Sequence, residues 1–181
     1  MEAIKALMER RSVRKYKDQK VDRQTIEEIM ELTRWAPSWC NLQVARYTII
    51  DDEAIIKRIA EEGVKGFTYN IKTLVNAKGV AVQSFKKGKS GKLGGQEYTT
   101  ESGNVWEIYD AGISCQQFCL AAHAKGVGTC VMGVIDDKEI AKIINLPEDE
   151  TVASVIVFGY EEGEHAKPTD RFPAAEITRY L

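Results

Sequence analysis

Arg10-Arg11-Ser12-Val13-Arg14-Lys15-Tyr16 gathers four cationic side chains and a serine hydroxyl into one short stretch. Guanidinium groups this close repel one another unless an anion lies among them, and the arginine fork matches phosphate oxygens in pairs. The Ser12 hydroxyl can donate to the same anion or to the polar edge of a ring. Taken alone, the stretch reads better as a solvated basic turn, because charge runs usually face water. A second polar group, Ser38, Asn41 and Gln43, follows Pro37, which cannot continue the helix before it. A hydroxyl and two amides can read the alternating donors and acceptors of a heterocycle edge. Turn chemistry accounts for each of them singly. Arg171 adds a further cation near the C-terminus. Together the three segments suit one flat, phosphorylated, redox-active ligand.

The pattern of apolar residues says what must position these groups. A short helix carrying Ile4, Leu7 and Met8 runs into the basic stretch. Asp22 is the expected N-cap of a second helix, with Ile26, Ile29, Met30 and Leu32 keeping helical spacing up to Trp35. Arg46 to Ile50 reads as a strand, and Asp51-Asp52 caps a helix through Ile55, Ile56 and Ile59 that stops at Gly63. Phe67 to Val75 suggests a further short helix, and Gly79 to Val82 a buried strand. Lys86 to Gly103 holds five glycines and four lysines and reads as a mobile surface loop. Asn104 to Lys125 is the longest helix and is apolar on nearly every side. Such a helix must be buried all round, most easily if a second copy of the chain covers one flank. A strand follows Gly126, Asp136 caps a helix with Ile140, Ile143 and Ile144, and Val152 to Phe158 is a core strand. The tail through Arg171 and Pro173 is irregular. The expected class is α+β, with a central, mostly antiparallel sheet flanked by helices in one domain spanning 1–181. Gly126-Val127-Gly128 does not signal a dinucleotide fold, since it follows a helix and completes no G-x-G-x-x-G.

Composition narrows the function. The 181 residues carry a formal net charge of −2, which argues against general nucleic-acid binding and makes the basic stretch a local anion site. No apolar run approaches a membrane-spanning length, and Met1-Glu2-Ala3-Ile4-Lys5 lacks the plan of a signal peptide, so the expected location is the cytoplasm. Cys40, Cys115, Cys119 and Cys130 form no C-x-x-C pair, so free thiols and no metal site are expected.

In order along the chain, Arg10-Arg11-Ser12-Val13-Arg14, Ala36-Pro37-Ser38, Asn41, Gln43, Asn70, the helix from Tyr109-Asp110-Ala111-Gly112 to Leu120-Ala121-Ala122, Gly126-Val127-Gly128-Thr129, Gly133 and Lys167-Pro168 with Arg171 resemble the FMN-dependent nitroreductase family. The resemblance covers nearly the full length. It implies an intertwined homodimer with FMN at the subunit interface. Arg10, Arg11, Ser12 and Arg14 would hold the phosphate, ribityl chain and pyrimidine side, with Arg14 near N1 and the C2 carbonyl. Arg171 would complete the phosphate site. Pro37, Ser38, Asn41 and Gln43 would belong to the loop that reaches the cofactor from the other subunit. Asn70 would touch the pyrimidine edge, and Met132 and Gly133 would bring backbone N–H groups towards N5 and O4.

The chain departs from the family pattern at Val44 and Ala45, where many members have Pro and Trp. Thr73 stands in place of a lysine, Met132 in place of an acidic residue of some members, and Thr169 in place of a second basic residue. The chain is short for the family, and Lys86 to Gly103 could act as a lid where larger members carry a longer helical excursion. The implied activity is hydride transfer from NADH or NADPH to a flat acceptor such as a nitroaromatic or quinone, by ping-pong kinetics. No side-chain nucleophile is needed, because the flavin carries the chemistry. Lys86, Lys87, Lys89 and Lys92 could meet the 2′-phosphate of NADPH, although solvated loop lysines explain them as well. The alternative is a dimer that binds FMN without turning over a nicotinamide, as a carrier or sensor.

Overall fold

The computed structural model describes residues 2–181. Its centre is a sheet of four antiparallel strands, β1 (Ala45–Ile50), β2 (Gly79–Lys86), β3 (Gly128–Met132) and β4 (Glu150–Gly159), in the order β1-β2-β4-β3. Side chains alternate across it. Val80, Val82, Val155 and Val157 face α3 (Glu53–Glu62), α4 (Thr68–Asn76) and α6 (Asp137–Ile143), where Ile56, Ile59, Leu74 and Ile140 cover them. Ala81, Ile156 and Phe158 face α2 (Arg23–Thr33) and α5 (Val105–Ala124), through Ile29, Phe118 and Ala122. With both faces covered, β2 and the second half of β4 are buried continuously, so Gly79 to Val82 and Val155 to Phe158 read as apolar runs instead of alternating ones.

The helix starts follow their caps. Asp22, Asp52 and Asp136 accept from the backbone N–H groups of Thr25 at 2.8 Å, Ala54 at 2.8 Å and Glu139 at 3.1 Å. Each such cap contributes about 1 kcal/mol. Two short helices complete the chain, α1 (Ala3–Glu9) and α7 (Ala174–Ile177).

Three elements differ from expectation. α2 stops at Thr33, two residues before Trp35. β2 runs on to Lys86, because its N–H bonds to the Val44 carbonyl at 3.0 Å and it stays in register with Glu150. α5, read as apolar on nearly every side, buries the carboxylates Glu107 and Asp110, while Val105, Ile108 and Tyr109 stay exposed on the flank that the reading left to a second copy. Those two carboxylates turn inward to hold the segment 87–103. Gly88 N–H donates to Glu107 at 2.6 Å, and Ser90 Oγ, itself fully buried, donates to Asp110 at 2.5 Å. The segment expected to be a mobile surface loop is therefore fastened to α5, and Tyr98 adds a further tie by donating to Glu107 at 3.1 Å.

Candidate functional site

The basic stretch leaves α1 as an extended strand-like segment along the sheet edge formed by β3. Val13 N–H bonds to the Thr129 carbonyl at 2.8 Å, Ser12 pairs with Thr129 in parallel, and Lys17 N–H reaches the Tyr160 carbonyl at 2.9 Å. Two glycines allow this approach. Gly128 and Gly159 pair with each other across β3 and β4. A Cβ on Gly128 would lie 2.6 Å from Val13 Cγ2, and one on Gly159 would lie 2.9 Å from Tyr16 Cδ1. Tyr16 is buried there and its hydroxyl donates to the Val13 carbonyl at 2.5 Å, tightening the turn between them. Burial pushes the Tyr16 phenol well above its ordinary pKa, so it remains a neutral donor.

This anchoring aims the arginines. Arg11 bonds back to the carbonyls of Met8 at 2.7 Å and Arg10 at 2.8 Å, closing the C-terminus of α1. Arg14 reaches the Ser12 carbonyl at 3.2 Å. Nε of Arg10 and Nε of Arg11 are buried with no hydrogen-bond partner among the described residues. Among the described residues, the arginine ion pairs use Arg23, Arg34 and Arg58, and none uses Arg10, Arg11 or Arg14. Unpaired buried donors on adjacent cations fit an anionic group at this place. Next to it, His165 presents one ring nitrogen to Glu161 Oε2 at 2.6 Å and the other to the Glu9 carbonyl at 2.8 Å, with the His123 ring 5.9 Å away in a stacked arrangement.

Arg14, Asn70, Met132 and Gly133 come together. They line a cleft of about 370 Å³ between the basic segment, α4 and the end of β3. Thr73 is in its wall, with its hydroxyl already donating to the Tyr69 carbonyl at 2.8 Å. Phe67 and Tyr69 also line the cleft, 46% and 71% exposed, with ring centroids 5.8 Å apart. Sequence reasoning did not select these two aromatics. Their place beside Asn70 was the available signal, but their exposure belongs to the tertiary fold.

Pro37, Ser38 and Gln43 lie elsewhere, lining a separate cavity of about 160 Å³ between α2, α5 and β1. Asn41 sits in the short 3₁₀ turn Trp39–Asn41 of the same loop. Cys40, Asn41 and Gln43 have φ of 46°, 56° and 50°, a left-handed conformation that costs non-glycine residues on the order of 1–3 kcal/mol each. The turn is over-determined. Gln43 N–H donates to Ser38 Oγ at 2.8 Å, and Trp39 N–H donates to both oxygens of Asp110 at 3.0 and 3.1 Å. Ser38 thus performs turn chemistry and keeps its own proton free to donate. Arg171 is not brought to either group: it lies in an exposed tail and bonds to Thr169 and Asp170.

One chain therefore offers an anion-fitting cationic segment that runs into a cleft rimmed by two aromatic side chains, and a strained polar loop on a different surface. The model of the Nitroreductase family matches residues 7–160. The chain belongs to the nitroreductase family. Among relatives of this nitroreductase, a "Putative NADH dehydrogenase/NAD(P)H nitroreductase" of Archaeoglobus fulgidus is 28% identical, over 98% of this chain and 97% of its own length. An "FMN reductase [NAD(P)H]" of Bacillus subtilis is 26% identical, over 92% of this chain and 68% of its own. Among solved structures, an FMN-dependent nitroreductase from Clostridium difficile R20291 superposes with a TM-score of 0.75 at 25% identity, covering 98% of each chain. The α+β architecture with its antiparallel sheet is the nitroreductase fold.

Proposed function

We propose that this protein is a homodimeric, cytoplasmic, single-domain FMN oxidoreductase that moves hydride from NADH or NADPH to a flat organic acceptor such as a nitroaromatic or quinone. The observation that carries the reading is the cleft that brings Arg14, Asn70, Met132 and Gly133 together, on the segment whose Arg10 and Arg11 keep buried nitrogens without a partner among the described residues. Membership of the family and the FMN-using relatives support it. No helix among the described residues is long and apolar enough to cross a membrane.

FMN supplies the two-electron chemistry when bound. The chain's part is binding, charge and shape. Arg10, Arg11 and Ser12 are assigned to the phosphate and ribityl chain, where charge-assisted bonds are strongest, and Arg171, held apart in this chain's exposed tail, would have to move to join them. Arg14 and Asn70 are assigned to the pyrimidine side, and the backbone N–H groups of Met132 and Gly133 to the ring's opposite polar edge. Pro37, Ser38, Asn41 and Gln43 are assigned to the partner's cofactor, since they lie away from this chain's own cleft. Phe67 and Tyr69 give a planar substrate an apolar rim that excludes water. With one cleft open to both substrates, they bind in turn.

The test is direct. The purified protein should be yellow with FMN, and NADH or NADPH should bleach it rapidly before an acceptor restores the colour. Initial rates with both substrates varied should give parallel double-reciprocal lines. A flavin that nicotinamide does not bleach would leave a carrier or sensor instead, and intersecting lines would remove the ping-pong order.

A further inference from the structure

The buried Asp110 does more than fill the first half of α5. A carboxylate accepts only, so every polar neighbour must point a donor at it. Here the donors come from two segments far apart in sequence: the Trp39 N–H at 3.0 and 3.1 Å and the Ser90 hydroxyl at 2.5 Å. A second link runs beside the first. Trp39 Nε1 donates to the Lys92 carbonyl at 2.9 Å, and the Trp39 ring packs on Trp106 at 4.9 Å. Trp39 stands between Ser38 and the left-handed pair Cys40 and Asn41, so its fixed N–H is what holds that backbone in a conformation it would otherwise leave. On the other side, Ser90 and Lys92 set the position of Leu93, which is 64% exposed.

We infer that Asp110 is a positioning residue that welds the Pro37–Gln43 loop and the 87–103 segment into one body, so that Leu93 and its neighbours form a fixed wall beside the cofactor that the loop touches. This rests on the proposed function, in which that loop reaches the partner's flavin. The wall is then a determinant of acceptor choice supplied by one subunit to the other, and it does not open freely on its own.

The FMN-loaded dimer carries the test, as wild type, Asp110→Asn and Ser90→Ala. Asn is nearly isosteric but sets an amide donor against one of the existing donors. Ser90→Ala removes one link without touching charge or α5, and keeps the question open to measurement should Asp110→Asn fold poorly. Trypsin should cut after Lys87, Lys89 and Lys92 faster in both variants, by about tenfold, as expected when a hydrogen bond to a charged group is lost. KM for the acceptor should rise by a similar factor while the rate of flavin reduction by nicotinamide changes by less than about twofold. Faster cleavage with an unmoved acceptor KM would make the pin merely structural and overturn the positioning role. Unchanged cleavage in both variants would overturn the weld itself. A wild-type protein that takes up no FMN would instead defeat the functional reading beneath it, a result visible before any variant is made.

Discussion

Arg10 and Arg11 each hold a buried nitrogen that none of the described residues satisfies, and Arg14 stands further along the extended segment, at the cleft. The three should therefore fail differently. Arg10→Ala removes a charge-assisted contact and should weaken FMN binding by about 1.5–3 kcal/mol, read by flavin fluorescence titration. An unchanged affinity would remove Arg10 from the phosphate site. Arg14→Gln keeps hydrogen bonding but deletes charge. It should bind FMN nearly as well while its two-electron potential falls by on the order of 30 mV, equivalent to about 1.4 kcal/mol. Loss of affinity at constant potential would place Arg14 with the phosphate instead. The histidines titrate in opposite senses. The Glu161 carboxylate, then the Glu9 carbonyl, hold His165 above its ordinary pKa of about 6.5. Its stabilising contact is complete below that value and is lost as pH rises through the raised one. Burial, then His165 itself, lower His123, whose contribution is present above about 6.5 and is lost as pH falls through the lowered value. The urea midpoint should decline in both directions, and His165→Gln should abolish the alkaline decline while lessening the acid one, of which burial of His123 is the larger cause. Equal declines in both proteins would show that the His165 contact carries no linkage. The arginines and the Pro37 loop stood out by residue type, and Asn70 through the family resemblance; of these the fold brings Arg14 and Asn70 to one cleft. Asp110, Phe67 and Tyr69 did not stand out, because whether a side chain turns inward or outward depends on what packs beside it.

The extended segment from Ser12 to Lys17 depends on the sheet edge more than on its own sequence. Gly128 and Gly159 leave the groove that Val13 and Tyr16 fill, and at Gly128 a methyl group would meet the branched Cβ of Val13 itself, which has no flexible end to give way. Gly128→Ala should cost about 1–3 kcal/mol by overpacking and should also weaken FMN binding, since the arginines move with the segment. Thermal melting and flavin titration of the one variant would check both. A stable variant with normal flavin affinity would show that the segment is positioned by other means. Most elements were readable from local signals: aspartate caps, helical spacing, and apolar runs bounded by turn residues. β2 was read four residues short, because Gln83 and Ser84 look polar. Both are buried at a register shift in the pairing with β4. Gln83 donates to the Ala111 carbonyl at 2.7 Å and accepts from Ser154, and Ser84 donates to Glu150 at 2.6 Å. The 87–103 segment misled for a related reason. Its glycines and lysines announce a loop, but its anchors are carboxylates on a helix read as wholly apolar.

At the level of the whole chain, the free protein leaves an uncovered stripe on its longest helix, where Val105, Ile108 and Tyr109 continue into Gly112 and Gln116, and Ile4, Leu7 and Met8 of α1 are exposed as well. Surface of this kind is expected to be closed by a second copy, and sedimentation at micromolar concentration should find a dimer with or without flavin. A folded, flavin-loaded monomer would contradict that expectation. One arrangement already described bears on how the protein is made. The arginine segment, within the first seventeen residues, is fastened by hydrogen bonds to Thr129 and Tyr160, and Glu162 N–H returns to the Lys15 carbonyl at 3.1 Å. Those partners exist only once translation has passed Tyr160 and Glu162. The arginine segment thus finds its place only after residues made much later have appeared, and FMN capture through it must wait for them.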